Sequence, residues 1–465
     1  MSATAFFSCS IEEVSSPRED FKVWTVNGSF SSSSINLTFC SCLLNQGGIP
    51  SELEDTVAAL GGTLTLKHEE AGIAVVGGVS SDDVDELALV TGAIEYVQDE
   101  IISQEQSTVN ENYLVAADTV PASAEAPNAA YFFSWQWNMR AIQAETAWRD
   151  ERLGSSEVTV AILDTGIDYL HMDLQDLVDL DRSKSFLALD DSYASFFFPE
   201  RHLITDLDFH GTHVAATVAS NAHLAAGVTS KTKLMGVKVC SIAGGCPFYA
   251  ILFGLLHAAD NGADVANLSL GGAFLKFQNP RLVGYINRVF NYANQKKMTV
   301  VVAAGNTGSD LDHSYPSLYK TFCESPNTIC VSATGPTDSD DFREGPWYEV
   351  DAPAWYTNYG SSSITVAAPG GNYGGVVWSA CTQTSLHLNL QDCSSGNYVV
   401  AAAGTSMASP HVAGLAALAV EKVGKNPGRV KALIQQGADD LGKPGVDPYY
   451  GKGRINVAKT LGIGK

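Results

Sequence analysis

The sequence predicts an α/β protein with a doubly wound, mostly parallel sheet and helices on both faces, preceded by a small α+β domain. From about residue 134 onward, strand-like apolar runs alternate with helical segments, the order that builds a parallel sheet. Several of these runs lack polar alternation, which is typical of strands buried on both faces. A Ser, Ala, Glu, Pro and Asn-rich stretch without periodicity separates this region from the pattern upstream.

The small domain is predicted from short helix and strand patterns that follow a Ser-rich segment. Ser51–Ala59 and Ser80–Leu89 have helical spacing, and strand-like runs occupy Thr63–Lys67, Gly72–Val76 and Ala93–Gln98. This order indicates a βαββαβ-like unit. We therefore expect an N-terminal segment of unclear structure, an α+β domain, a linker and a large domain, at residues 1–48, 49–102, 103–131 and 132–465.

The large domain is predicted to contain six buried strands. They are Val158–Leu163, Leu234–Val239, Val265–Leu270, Thr299–Ala304, Ile329–Ser332 and Ile364–Ala367. Between two of them, Phe248–Ala259 has the length and spacing of a helix, which Asp260-Asn261-Gly262 ends.

Charge and hydropathy exclude two classes of partner. The formal net charge is −23, and residues 1–131, with 3 basic and 20 acidic side chains, contribute −17 of it. Nucleic-acid binding needs a basic patch, and the sequence has none. No apolar run reaches the roughly 18 residues that a membrane helix needs, and Val412–Val420 is better explained as a buried helix. We expect neither nucleic acid nor membrane as a partner.

Six of the nine cysteines form close pairs around loop-like sequence. The pairs are Cys240/Cys246, Cys323/Cys330 and Cys381/Cys393. No CxxC spacing of the kind that binds zinc occurs. Three short-loop disulfides favour an extracellular protein, although residues 1–34 lack a signal-peptide pattern and buried free thiols are the alternative. Cys9, Cys40 and Cys42 have no assigned role.

Four polar residues lie where strands end or helices begin. Asp164 ends one predicted strand and Asn306 follows another, and sites in parallel sheets form at the carboxyl ends of strands. His210 begins a helix of small residues, in which His213 is expected to be buried support. Ser406 lies at the N-terminus of a long apolar helix, whose partial positive charge stabilises an anion. Singly, each residue also fits a helix cap, a turn or a structural histidine.

Together the four match one mechanism and one family. The blocks DTGID, HGTHVA, NLSLGG, AAGN and GTSMASPHVAG, in this order, resemble the signature blocks of the subtilisin-like serine proteases, over roughly Ser134–Val457. The resemblance implies the subtilisin-like fold and a serine endopeptidase. Ser406 would be the nucleophile, His210 its general base and then acid, and Asp164 the residue that orients the imidazole. Asn306 and the Ser406 N–H would form the oxyanion hole.

The resemblance also implies where substrate binds. Ser269-Leu270-Gly271-Gly272 would pair with the substrate backbone as an added strand. The S1 wall would be formed by Ala303, Ala304 and Gly305, and Ser314 would lie near its base. No Asp is placed to require a basic P1 side chain. We therefore expect an apolar, open pocket and protein or peptide substrates.

Further expectations from the resemblance concern regulation and metals. The segment from about Pro50 to Ile102 resembles inhibitor-like propeptides, so it would act as an intramolecular inhibitor that is removed by cleavage within 103–131. No cofactor is needed for the chemistry. Asp173, in the block His171-Met172-Asp173-Leu174, matches a carboxylate that often binds a structural calcium in the family. We expect a monomer.

Three other functions are alternatives to a serine endopeptidase. An α/β-hydrolase esterase would need a Gly-x-Ser-x-Gly elbow, but position 408 is Ala, and Ser406 comes last in the chain instead of first. A transpeptidase or peptide cyclase on the same fold stays open. A non-catalytic binding or inhibitor homologue is disfavoured because all four catalytic positions are filled.

Overall fold

The computed structural model describes most of the large domain and parts of the small one. The described residues are 40–43, 49, 51–78, 95–98, 101–103, 114–119, 126–272, 274–276, 280–313, 318–319 and 321–463. The predicted helix Ser80–Leu89 and Cys9 lie outside them.

The small domain contains a four-stranded antiparallel sheet in the order β2-β3-β1-β4. Its elements are β1 Cys40–Leu43, α1 Leu53–Ala59, β2 Thr63–His68, β3 Ile73–Gly77 and β4 Glu95–Gln98. Helix α1 buries Leu53 and Val57, the apolar face that its sequence predicts. The sheet begins at Cys40, before the predicted boundary at residue 49. Strand β1 is too short to show a period, and its pairing with β3 and β4 establishes it instead.

The large domain is built on a seven-stranded parallel sheet in the order β18-β15-β13-β11-β7-β9-β8. Its strands are β7 Thr159–Asp164, β8 Lys184–Ser185, β9 Lys233–Lys238, β11 Val265–Leu268, β13 Thr299–Ala303, β15 Thr328–Thr334 and β18 Val366–Pro369. The six predicted strands are adjacent in this sheet, and the two-residue strand β8 is added at one edge. The predicted doubly wound α/β fold is confirmed.

Helices cover both faces of this sheet. They are α2 Trp137–Ala141, α3 Ala144–Arg149, α4 Ala188–Phe197, α5 His210–Val218, α6 Phe248–Asp260, α7 Pro280–Gln295, α8 Thr405–Val423, α9 Pro427–Gly437 and α10 Val457–Leu461. Strand β7 sends Val160 and Ile162 into the core shared with α5 and α8, and Ala161 and Leu163 into the core shared with α6 and α7. Side chains alternate across a strand, so a fully apolar strand supplies both cores.

Short strands decorate the large domain. They are β5 Ile101–Ser103, β6 Leu114–Ala116, β10 Gly245–Pro247, β12 Phe274–Leu275, β14 Leu318–Tyr319, β16 Asp338–Ser339, β17 Trp347–Tyr348, β19 Val377–Ala380 and β20 Tyr398–Ala402. Strand β5 spans the predicted boundary between residues 102 and 103, and β6 lies within the predicted linker. Strand β5 pairs antiparallel with β10, and β6 pairs antiparallel with β20. The predicted linker is therefore partly anchored to the large domain.

The small domain packs against helices α6 and α7. Ile73 and Val75 of β3 belong to the same buried cluster as the apolar faces of these helices. Beside this contact, the His68 ring Nε2 lies 2.6 Å from Asp260 Oδ2. The Tyr292 hydroxyl lies 2.6 Å from Asp260 Oδ1 and 2.8 Å from Glu70 Oε2. An apolar contact ringed by polar pairs therefore joins the two domains.

Three disulfides connect the predicted cysteine pairs, Cys240–Cys246, Cys323–Cys330 and Cys381–Cys393. Cys40 and Cys42 lie on β1. Among the helices of the described ranges, none combines the length and apolarity that crossing a membrane requires.

Candidate active site

Asp164 and His210 form a buried carboxylate–imidazole pair. Asp164 is the last residue of β7 and His210 the first of α5, and Asp164 Oδ1 lies 2.8 Å from His210 Nδ1. The same oxygen accepts the Thr165 N–H at 2.8 Å. A carboxylate accepts only, so Nδ1 carries the ring proton and Nε2 carries the lone pair. The imidazole is therefore held in the tautomer of a general base.

Three carboxylates act on the charge of His210. Burial alone lowers the pKa of His210, but the Asp164 carboxylate, and then Asp208 and Asp206, raise it above its ordinary value. His213, one turn further along α5, is fully buried with its Nε2 3.1 Å from the Val377 carbonyl, and burial lowers its pKa to about 3. His213 is therefore neutral support within the helix, as predicted.

Ser406 lies in the first turn of α8, which is buried from Thr405 to Val420. Pro410 lacks the N–H that would bond the Ser406 carbonyl one turn earlier. The Ser269 hydroxyl donates to that carbonyl instead, at 2.7 Å, and accepts from Asn267 Nδ2 at 2.9 Å. The Ser406 hydroxyl donates in turn to the Ser269 carbonyl at 3.1 Å. Two hydrogen bonds, one donated by each residue, therefore connect Ser406 to Ser269, the residue that follows β11.

Asn306 follows β13 and is oriented by Thr405. Asn306 Oδ1 accepts from the Thr405 N–H at 2.8 Å and from the Thr405 hydroxyl at 2.9 Å. That hydroxyl accepts from the Gly305 N–H at 3.0 Å, so its own proton is committed to Asn306. Because the oxygen faces Thr405, the carboxamide presents its NH2 donors on the opposite side.

The parallel register brings these residues to one edge of the sheet. Leu163 of β7 and Val302 of β13 both pair with Leu268 of β11. Asp164, Ser269 and the Ala303–Asn306 segment therefore lie together at the carboxyl ends of three neighbouring strands. The hydroxyl contact between Ser406 and Ser269 places the start of α8 at the same edge.

The predicted substrate-binding residues surround this edge. Ser269, Leu270 and Gly271 are buried directly after β11, and Gly272 is half-buried. Gly305 has φ +98°, which explains why glycine precedes Asn306. Ala304 is buried, and its backbone carbonyl accepts a hydrogen bond from Asn358 Nδ2 at 2.8 Å. Ser314 lies outside the described residues.

The carboxylate of Asp173 does not fit a calcium ion. Its two oxygens accept three backbone N–H groups, those of His223, Leu224 and Ala225, at 2.7 to 3.0 Å. Amide donors occupy the positions that a cation would need. In the ranges given above there is also no group of three or more His, Cys, Asp or Glu side chains able to hold a metal. Asp173 instead fastens the loop that follows α5.

Two aspartates that precede His210 and contact the first turn of α5, Asp206 and Asp208, were not predicted from the sequence. Asp206 accepts from the Thr165 hydroxyl and from the Thr212 N–H and hydroxyl. Asp208 Oδ1 accepts the His210 N–H at 2.9 Å, and Asp208 Oδ2 lies 2.6 Å from His387 Nε2. The available signal was the Asp-x-Asp spacing directly before the block that contains His210.

Comparison with known proteins matches this architecture. Residues 155–453 match the model of the Subtilase family. Thermitase from Thermoactinomyces vulgaris is 32% identical over 348 residues, which cover 72% of this chain and 99% of thermitase. A thermophilic serine proteinase from Bacillus sp. (strain AK1) is also 32% identical over 348 residues, covering 74% and 70%. The chain belongs to the subtilase family of serine endopeptidases.

Solved structures share the fold at lower identity. The epidermin leader peptide processing serine protease (EpiP) from Staphylococcus aureus is 21% identical with a TM-score of 0.69, covering 91% of this chain and 98% of that one. Fervidolysin from Fervidobacterium pennivorans, a keratinolytic enzyme related to subtilisin, is 21% identical with a TM-score of 0.68, covering 94% and 62%.

Proposed function

We propose that this chain hydrolyses peptide bonds through an Asp164–His210–Ser406 triad and is made as a self-processing zymogen. One observation carries the triad proposal: the buried 2.8 Å pair between Asp164 and His210 lies at the sheet edge where α8 presents Ser406. A carboxylate-oriented imidazole beside a hydroxyl at a helix N-terminus is the arrangement that activates a serine.

The proposed reaction has two halves. Ser406 Oγ attacks the scissile carbonyl carbon while its proton passes to His210 Nε2, and a tetrahedral oxyanion forms. The Asn306 NH2 and the Ser406 N–H donate to that oxyanion. His210 then gives the proton to the leaving amine, and the C–N bond breaks. Water then gives a proton to His210 and attacks the acyl carbon. The acyl C–Oγ bond breaks while His210 returns that proton to Ser406 Oγ, which releases the acid and restores the enzyme.

Substrate would bind as an added strand along residues 269–272. This proposal is supported by the register, because the pairing of β11 with β13 ends at Leu268 and residues 269–272 continue beyond it. Small residues at Ala303, Ala304 and Gly305, with Ser314, would leave an apolar and open S1 pocket. We infer broad acceptance of protein and peptide substrates, since nothing charged among these residues selects P1.

The zymogen proposal depends on how the N-terminal region meets the large domain. Strand β5 pairs antiparallel with β10, the strand that follows β9, and Lys238 of β9 is the register neighbour of Asp164. Residues 49–102 would therefore deliver their C-terminal end beside the active site as an intramolecular inhibitor. Cleavage within 103–131 would release the mature enzyme. We propose that it is extracellular, supported by the three disulfides, and monomeric.

Active-site labelling tests the proposed chemistry. A fluorophosphonate should label the processed protein at Ser406 and should not label Ser406→Ala. Peptide substrate incubated with an added amine nucleophile should yield hydrolysed product in excess. A dominant ligated product would identify a transpeptidase, and an unlabelled wild type would identify a non-catalytic homologue.

A further inference from the structure

A second His–Asp pair lies directly behind the catalytic imidazole. His387 Nε2 and Asp208 Oδ2 are 2.6 Å apart, and Asp208 Oδ1 accepts the backbone N–H of His210 at 2.9 Å. The Asp208 side chain is 13% exposed and the His387 ring is 39% exposed. The carboxylate is therefore shielded from water while its partner reaches the surface.

The loop that carries His387 is built against the segment that leads to His210. The Thr382 and Thr384 hydroxyls both donate to the Asp206 carbonyl, at 3.0 and 2.8 Å. The Leu386 N–H donates to the Leu207 carbonyl at 2.9 Å. The Cys381–Cys393 disulfide closes the loop. Three hydrogen bonds to residues 206–207, together with the disulfide, thus bring His387 to Asp208, which a chance surface pair would not show.

We propose that His387 is a positioning residue of the active site: it holds the Asp208 carboxylate at the start of α5 and offsets its negative charge near His210. This inference rests on the proposed function, in which His210 is the general base. The contact that links His387 to the site runs through Asp208, which accepts the His210 backbone N–H. His387 acts through Asp208, and its effect is on how readily His210 takes up a proton.

The charges around the pair define the expected direction. Asp164, Asp206 and Asp208 face His210, and the Asp190–Lys238 pair lies beyond them. The hydrogen bond to Asp208 raises the pKa of His387, and His387 holds the pKa of Asp208 low although burial opposes it. Burial and the charge of Asp208 raise the pKa of Asp206. A protonated His387 therefore weakens the negative electrostatic potential that the carboxylates produce at the His210 ring.

Substitution of the two partners should move the acidic limb of kcat/KM in opposite directions. His387→Gln leaves the Asp208 charge uncompensated, which favours the imidazolium, so the midpoint should rise by about half a pH unit or more. Asp208→Asn removes a negative charge from beside His210, so the midpoint should fall by a similar amount. His387→Lys retains a cation and should restore the wild-type midpoint.

A matched control is available in His313, whose Nδ1 lies 3.0 Å from Asp310 Oδ2 on an exposed loop. His313→Gln should leave the midpoint unchanged. Coincident midpoints for His387→Gln, Asp208→Asn and wild type, or shifts of the first two in the same direction, would overturn the inference. Fluorophosphonate labelling of each variant distinguishes a failure of this inference from a failure of the triad proposal. An unlabelled wild type would contradict the triad proposal itself.

Discussion

At the scale of single residues, hydrogen bonds to neighbours fix the orientation of each side chain in the site. Asn306 Oδ1 is committed to Thr405, so only the NH2 group of the carboxamide can serve an oxyanion. The Ser406 carbonyl accepts from the Ser269 hydroxyl because Pro410 has no N–H to donate to it. These commitments make the direction of each substitution predictable.

Asn306→Ala should lower kcat by about 10²–10³, the loss that the same kind of donor gives in subtilisin, a member of this family. Steady-state kinetics on a peptide substrate measure it. Asn306→Asp is the informative control, because its carboxylate still accepts from Thr405 but repels the oxyanion. An active Asn306→Asp variant would show that Asn306 only supports Thr405.

The acidic limb of activity should reflect His210. Its pKa lies above the ordinary value because Asp164 and two further carboxylates outweigh the effect of burial. His210 must be neutral to accept the Ser406 proton, so kcat/KM should fall as pH drops through a midpoint above about 6.5. A full pH profile checks this. A midpoint well below 6 would mean that the carboxylates do not act on His210 as described.

The sequence singles out the four proposed active-site residues because each lies in a short local block, and their roles stay predictions. It could not predict the contacts that join distant segments. Asp173 matches a carboxylate that often binds calcium in the family, but the backbone amides that donate to it lie about 50 residues later in the chain. His387 lies 179 residues from Asp208, and only the fold shows that they meet.

At the scale of elements, a residue outside helix α8 donates a hydrogen bond that the helix itself cannot form. The Ser269 hydroxyl replaces the bond that Pro410 removes, so the two residues should be energetically coupled. In the Ser406→Ala background, which prevents self-digestion, Ser269→Ala should lower the free energy of unfolding by about 1–3 kcal/mol. The cost should be clearly smaller when Pro410→Ala supplies the missing N–H.

A double-mutant cycle by chemical denaturation measures this coupling. Ser192→Ala is the control, since its hydroxyl also donates to a helix carbonyl, that of Ala188, but on an exposed helix. Its cost should be the same with Pro410 or Ala at position 410. Strict additivity of Ser269→Ala with Pro410→Ala would exclude the proposed substitution of one hydrogen bond for another.

Element prediction succeeded where apolar runs were long. The central strands and α6 lie within about two residues of their predicted bounds, because a strand buried on both faces shows itself by composition alone. Strands β1, β6 and β8 have two to four residues and no period of their own. They exist because a partner strand is available, which is information that the local sequence does not contain.

At the scale of the molecule, the small domain should act as an inhibitor that acid weakens. Lys296 and the Tyr292 hydroxyl hold the pKa of Glu70 below its usual range, and Tyr292 and His68 do the same for Asp260 although burial opposes them. Groups with lowered pKa stabilise the contact above the ordinary carboxyl range. This contribution is lost as pH falls through their lowered values.

Tyr292→Phe should therefore shorten the delay between cleavage of the chain and appearance of activity. Loss of the hydroxyl removes a hydrogen bond to charged partners, so release should quicken about tenfold or more. Paired mass and activity time courses measure the delay, and Tyr373→Phe, an exposed tyrosine, is the control. An unchanged delay at neutral pH would mean that the polar contact does not retain the small domain.

The most direct test of the central claim is the intact mass of wild type and Ser406→Ala over time, with a casein assay on the same samples. Wild type should lose about its first hundred residues and gain activity, while Ser406→Ala should stay full length and inactive. Processing of purified Ser406→Ala, or a wild type that stays uncut and inactive, would contradict the claim that Ser406 both matures the chain and cleaves its substrates.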